Sequence, residues 1–145
     1  MTKYSYSRLE TFEQCPLKYQ LKYIEKIPIK QKSIEGFLGG RVHETLEWLY
    51  REVKKGKAPS LDEILIYYRK RWEESWDDAI KNVRKKFTKT DYYNQGIKFL
   101  INYYMRHKPF DDNTIDVEKR IVIELDERGY YKIIGFIDRL VYNLE

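Results

Sequence analysis

Apolar residues recur at two different periods along the chain, and the change of period divides it. Leu38, Val42, Leu46, Leu49 and Val53 repeat every three or four positions, the spacing of one face of an α-helix. Leu61, Ile64, Leu65, Tyr68, Trp72, Trp76, Ile80 and Val83 form a longer stripe of the same kind, predicting one long helix. Tyr93, Ile97, Leu100, Ile101 and Tyr104 predict another, from near Tyr92 to Arg106. From Val117 the period drops to two. Val117, Lys119, Ile121, Ile123 and Leu125 alternate with Glu118, Arg120, Val122 and Glu124, a strand rhythm. "DERG" then supplies a turn and "YYKIIGFIDRLVY" a returning strand, which together predict a hairpin.

Punctuation residues refine this outline. Ser7 and Glu10 have the spacing of a capping box, in which hydroxyl and carboxylate each satisfy a free backbone N–H. That short helix breaks near Pro16, a residue suited to the first position of a second helix. Leu17, Leu21 and Ile24 would share one face of the second helix, which ends before Pro28. "IPIKQKS" is expected as a loop, and Gly36, Gly39 and Gly40 as a loosened stretch before the next helix. Ser60 and Glu63 repeat the capping-box spacing at the start of the long stripe. The expected fold class is α+β and mostly helical: one domain over 1–145, with a helical part over 1–110 and a β-hairpin over 115–143. A two-stranded hairpin is marginal alone, since sheets need a third strand or a covering helix. The sheet therefore looks unfinished at the end of this sequence.

Composition narrows the class. With 42% hydrophobic and 35% charged residues the chain is expected to fold rather than stay disordered. No apolar run approaches the roughly 20 residues that cross a bilayer, so no membrane partner is expected. "MTKYSYSRLETFEQ" lacks the apolar core of a signal peptide, which points to the cytoplasm. A single cysteine, Cys15, excludes an internal disulfide framework.

The net charge of +5 is mild, but it is unevenly distributed. "KNVRKKFTK" places Lys81, Arg84, Lys85, Lys86 and Lys89 together with no acid among them, and Lys98, Arg106 and Lys108 follow. Lysines and arginines spaced along a groove neutralise phosphates and release counterions. Phe87, Tyr92 and Tyr93 are placed to stack on unpaired bases. A solvated helix end accounts for the same residues, and fourteen tyrosines make chance proximity of rings to lysines easy.

Among single residues, Asp138 is an acid in the otherwise apolar run "IIGFIDRL". It is either a metal-binding carboxylate or a surface acid paired with Arg139 or a lysine. His43 lies one step, about 100°, from Val42, at the edge of an apolar face, where a partly buried structural histidine and a ligand are both open. His107 is placed to complement a helix C-terminus. Glu118 suits a solvated strand carboxylate better than a metal ligand. Cys15 suits a small buried hydrophobe better than a ligand.

Three ordered blocks carry a family resemblance. "YSYSRLETFEQCPLKYQLKYI" resembles the N-terminal signature of RecB-type nucleases of the PD-(D/E)XK superfamily, Ser-x-Ser-x-Leu-x-x-Phe-x-x-Cys-Pro and then an aromatic. Ser5, Ser7, Leu9, Phe12, Cys15, Pro16 and Tyr19 occupy it. "GGRVHETLEWLY" is similar to the next block, a glycine followed by a helix bearing a histidine. "VEKRIVIELDERGYYKIIGFIDRLVY" is similar to the hairpin with the family's first catalytic Asp, in the pattern Gly-x-x-Asp-Arg.

The resemblance implies a restriction-endonuclease-like core and metal-dependent DNA cleavage, of the kind used in repair and in processing DNA ends. It implies His43 and Asp138 as metal ligands and catalytic residues, and Mg2+ or Mn2+ as the cofactor. It places Tyr4, Ser7 and Arg8 near the DNA. Some members bind a [4Fe–4S] cluster, but that takes four protein ligands, typically cysteines; Cys15 alone would need ligands from elsewhere. The family's Asp/Glu-x-Lys element does not occur after "GFIDRL" in this sequence, so the chain alone is expected to be inactive. A second polypeptide supplying that strand is the implied partner besides DNA. Two other readings stay open: a non-catalytic DNA-binding or interaction module, and self-association through the Tyr130 to Tyr142 strand edge.

Overall fold

The computed structural model describes residues 2–28, 32–83 and 86–142. In chain order the elements are β1 (Thr2–Ser5), α1 (Tyr6–Gln14), α2 (Pro16–Tyr19), a π-helical turn (Gln20–Ile24), β2 (Lys32–Ser33) and α3 (Ile34–Lys54). Then come α4 (Leu61–Ser75), β3 (Ile80–Lys81), α5 (Lys89–His107), β4 (Thr114–Glu124) and β5 (Tyr131–Val141). The fold is α+β and restriction-endonuclease-like. Two compact units divide it: Met1–Ile29 with Glu118–Asp138, and Lys30–Val117 with Arg139–Glu145. No helix of the described residues is long and apolar enough to cross a membrane.

The second unit is built on α3, α4 and α5. Ile34, Leu49, Ile64, Tyr68, Trp72, Tyr92 and Leu100 form its buried core, as the helical periods predict. Gly96 sets how closely the helices approach: a Cβ there would stand 2.1 Å from the Tyr68 hydroxyl oxygen and 2.8 Å from Leu38 Cδ1. Burial raises the Tyr68 phenol above its usual pKa, as it does that of Tyr50.

Three boundaries differ from the sequence expectation. The segment holding Gly36, Gly39 and Gly40 is helical from Ile34, because Ser33 caps it, accepting from the Gly36 N–H at 3.1 Å, and Ile34 and Leu38 are buried. The long stripe is not one helix. It stops at Ser75, where Asp77 accepts a hydrogen bond from the Ala79 backbone N–H and offers the chain a turn instead. Ile80 is buried all the same, from a strand paired parallel to β2, while Val83 is exposed. Finally, α5 starts before Tyr92, because Thr88 and Asp91 make a reciprocal capping box. The Ser60–Glu63 capping box forms as expected, and Lys57 together with the Ser60 backbone holds the Glu63 carboxyl down to about 2.

In the first unit, α1 is capped by Ser5 rather than Ser7: Ser5 Oγ accepts from the Arg8 N–H at 3.3 Å. Ser5 ends a strand, so its backbone already has the extended conformation a cap requires. Pro16 opens α2 as expected, with Cys15 as its cap. Leu17, Leu21 and Ile24 do not share a buried face; all three are exposed. The π-helical turn widens the i→i+4 ladder there, so residues spaced for an α-helix no longer align. The sheet has three strands in the order β1–β5–β4. The added strand, β1, pairs parallel to β5 from Thr2↔Tyr131 to Ser5↔Ile134. It thus occupies the 131–134 end of the edge considered for self-association.

Candidate functional site

Two hydrogen bonds fix how β4 and β5 meet. The Leu125 N–H donates to the Tyr131 carbonyl and the Tyr142 N–H to the Asn113 carbonyl, each at 2.9 Å. Between those points one strand advances twelve residues and the other eleven. The strand from Asn113 to Leu125 therefore holds one extra residue, a β-bulge. Its position is marked by Glu118, whose φ is +56°. A side chain other than glycine in this left-handed region costs about 1–3 kcal/mol and is kept where surroundings hold it.

Counting from the Leu125–Tyr131 bond, Asp138 on β5 stands opposite the bulge. A carboxylate oxygen of Glu118 lies within 4.8 Å of one of Asp138. Glu118 is half-buried and Asp138 exposed. Among the described residues Asp138 does not pair with Arg139, one of the partners considered for it as a surface acid. Successive strand residues face opposite ways, and the Arg139 guanidinium pairs with Asp112 and lies 4.3 Å from the Tyr50 ring centroid. Asp138 thus sits in the central strand, beside a firmly anchored residue. Glu118, read from the sequence as a solvated strand carboxylate, is the residue that the bulge sets opposite Asp138. Period-two alternation gives no sign of a bulge formed without glycine.

His43 lies on α3 in the helical unit, exposed, between half-buried Val42 and Glu44. Cys15 caps α2, its Sγ accepting from the Lys18 N–H at 3.4 Å. It is the chain's one cysteine, so its role here is to end one helix and start the next.

The predicted DNA-contacting residues fall into two groups. In the first unit Arg8 is caged by rings, its guanidinium carbon 5.2 Å from the Tyr4 centroid and 5.4 Å from those of Tyr19 and Tyr23. Its Nε donates to the Tyr19 hydroxyl at 3.0 Å and its Nη1 to the Lys3 carbonyl at 3.1 Å. Every one of these partners is neutral, so the guanidinium keeps its charge for an anion. Ser7 is exposed, with its hydroxyl 3.1 Å from that of Ser5.

In the second unit Lys81 is exposed on β3, and Lys86 Nζ lies 5.9 Å from the Phe87 ring centroid. Lys89 Nζ is 3.7 Å from the Trp76 ring centroid, a cation–π contact that ties it to the helix core. Arg84 and Lys85 lie outside the described residues.

A divalent cation fits the donor set on the hairpin. Hard oxygen ligands are what Mg2+ and Mn2+ take, and two facing carboxylates repel until a cation lies between them. No curated protein and no solved structure matches the chain. A family model for the PD-(D/E)XK nuclease superfamily does match, over residues 3–145. With that match spanning the helices, the N-terminal signature and the carboxylate-bearing hairpin alike, the chain belongs to the PD-(D/E)XK nuclease superfamily.

Proposed function

We propose that the chain carries the metal-binding part of a RecB-like DNA nuclease, acting on DNA ends in repair and located in the cytoplasm. The observation that carries this reading is the Glu118–Asp138 carboxylate pair, built at a bulge in the hairpin of a PD-(D/E)XK domain. Glu118 and Asp138 are the hairpin residues that would hold the ion. Two carboxylates suit Mg2+ and Mn2+, and the imidazole of His43 that the family resemblance implies would favour Mn2+ further. When bound, such an ion polarises a phosphoryl oxygen and makes water acidic enough to attack near neutral pH.

The remaining residues bind and orient. Arg8 offers an uncompensated guanidinium stiffened by three rings, a group suited to a phosphate. Lys81 and Lys86 add charge from the helical unit. The family's Asp/Glu-x-Lys element does not follow Asp138 within these 145 residues. A segment supplying that element would complete the centre.

Calorimetric titration of Mn2+ and Mg2+ into the chain, into Asp138→Ala and into Glu118→Ala tests the reading. Binding by the native chain that both substitutions abolish is expected. Binding that survives Asp138→Ala, or that the native chain lacks altogether, would leave a DNA-binding module without metal chemistry as the better account.

A further inference from the structure

The three-stranded sheet leaves one long edge open. Its order is β1–β5–β4, so β5, whose edge the sequence suggested for self-association, lies in the middle and β4 is an outer strand. We propose that two copies of the chain pair antiparallel along β4, about a two-fold axis through Val122. The inference stands apart from the metal centre and from DNA binding.

The backbone fixes which groups face outward. The Leu125 N–H donates to the Tyr131 carbonyl, so Leu125 turns its backbone toward β5. Counting from that bond sets Glu124 opposite Lys132 and Ile121 opposite Gly135. Both pairs touch: Glu124 forms an ion pair with Lys132, and Ile121 Cγ1 lies 3.3 Å from where a Cβ on Gly135 would stand. Hydrogen-bonded positions alternate along an antiparallel ladder. Ile121, Ile123 and Leu125 therefore bond toward β5, and the N–H and C=O groups of Arg120, Val122 and Glu124 point to the open edge. Among the described residues no strand pairs with that edge.

The side chains there are apolar where an edge strand is ordinarily defended by charge. Ile121, Val122 and Ile123 are consecutive and 37%, 44% and 52% exposed. Charge selects the occupant. Arg120 and Glu124 are both exposed and stand two residues to either side of Val122. An axis through Val122 sets each Arg120 directly opposite Glu124 of the other copy, and each Ile121 opposite Ile123. Opposite charges and apolar pairs facing across strands are both stabilising. Moving the register by two residues in either direction sets Val122 against Glu124 or against Arg120 instead. Lys132 meets Glu124 through Oε1, which leaves Oε2 for the arginine. Such a self-complementary patch is what a two-fold interface requires. One strand pair is a small interface, so the association is weak and depends on concentration.

The test is sedimentation equilibrium of the full chain over a concentration series, where a monomer–dimer equilibrium is expected. Val122→Pro should abolish the dimer and leave the hairpin intact, because the Val122 N–H faces the edge and proline is tolerated there. Circular dichroism checks that this variant folds. Arg120→Ala should weaken the dimer about 2- to 30-fold, the range for two symmetry-related cross-strand pairs. Arg120→Glu should weaken it further, and adding Glu124→Arg should restore it. Val122→Cys, in a chain that also carries Cys15→Ser, should oxidise to a covalent dimer. Val122 faces itself across the axis, with Cα atoms about 5.5 Å apart, within the reach of a disulfide. Leu125→Cys in the same background should not cross-link. A dimer that Val122→Pro leaves intact, or faster cross-linking through Leu125→Cys than through Val122→Cys, would overturn the proposal. So would a monomer at the highest soluble concentration, which would leave the edge to a strand of another polypeptide.

Discussion

Glu118 and Asp138 bring carboxylate oxygens within 4.8 Å of each other across neighbouring strands, with Glu118 held in a left-handed backbone conformation. Both features cost stability in the metal-free chain. Like charges facing each other across a strand pair cost about 0.2–1 kcal/mol, and the backbone at Glu118 about 1–3 kcal/mol. A cation between the carboxylates removes the first cost and reverses its sign.

Asp138→Asn should therefore raise the melting temperature of the metal-free chain slightly. It should also abolish any gain on adding Mn2+. The native chain at ten times its dissociation constant gains about 1.4 kcal/mol, or roughly 3–6 °C for a domain of this size. Thermal melts with and without metal decide the matter. Equal metal-dependent gains in both proteins would mean that the ion binds elsewhere.

Gly96→Ala should be among the most damaging single-methyl additions in the chain. The new Cβ would overlap the hydroxyl and ring of Tyr68, which is fully buried and has no room to swing. Overpacking of this kind costs about 1–3 kcal/mol and sometimes more. Gly39→Ala is the control, since a Cβ there meets nothing within 4 Å. Within a helix that change should gain about 0.5–1 kcal/mol. Urea titrations of the two variants should move in opposite directions.

The helical core was legible because its period survives in the structure: Leu49, Ile64, Tyr68, Trp72 and Leu100 are buried as their spacing predicts. Asp138 stands out in the sequence as an acid in an apolar strand, and the structure sets it opposite Glu118. What escaped were features that leave no periodic trace. β1 is four residues long and has no alternation to detect. Trp76 and Ile80 continue a helical stripe on paper, yet the chain turns at Asp77 and buries Ile80 from a strand. The bulge at Glu118 left no trace because it reassigns which way a side chain points without changing the sequence pattern.

Alkaline pH should unfold the chain through Tyr50 and Tyr68. Burial holds both phenols above the usual value of 10.0 in the folded state. Below pH 10 neither state ionises and the full stability is present. Above it the unfolded chain loses protons that the folded chain retains, so stability falls as pH rises. The slope approaches about 1.4 kcal/mol per pH unit for each tyrosine. Tyr68→Phe should flatten that fall relative to the native chain in denaturation series between neutral pH and pH 11 or so. An unchanged slope would place the alkaline transition in other groups.

Arg8 offers the most direct test of the proposal that the first unit meets DNA. Its neighbours are rings, a hydroxyl and a backbone carbonyl, so nothing in the cage neutralises it. Arg8→Ala should weaken DNA binding and lower the slope of log affinity against log salt by about 0.9 on duplex, or about 0.7 on a single strand, the share of one phosphate contact. Arg8→Lys should keep that salt slope, because the charge remains. It should still lose affinity, because an ammonium lacks the planar face that stacks on Tyr19 and the fork that grips a phosphate. Tyr19→Phe separates the two contributions: it removes the hydroxyl that accepts from Nε and leaves the ring. If Arg8 is there to hold α1 against the rings rather than to meet DNA, Arg8→Ala will lower the melting temperature and leave the salt slope where it was.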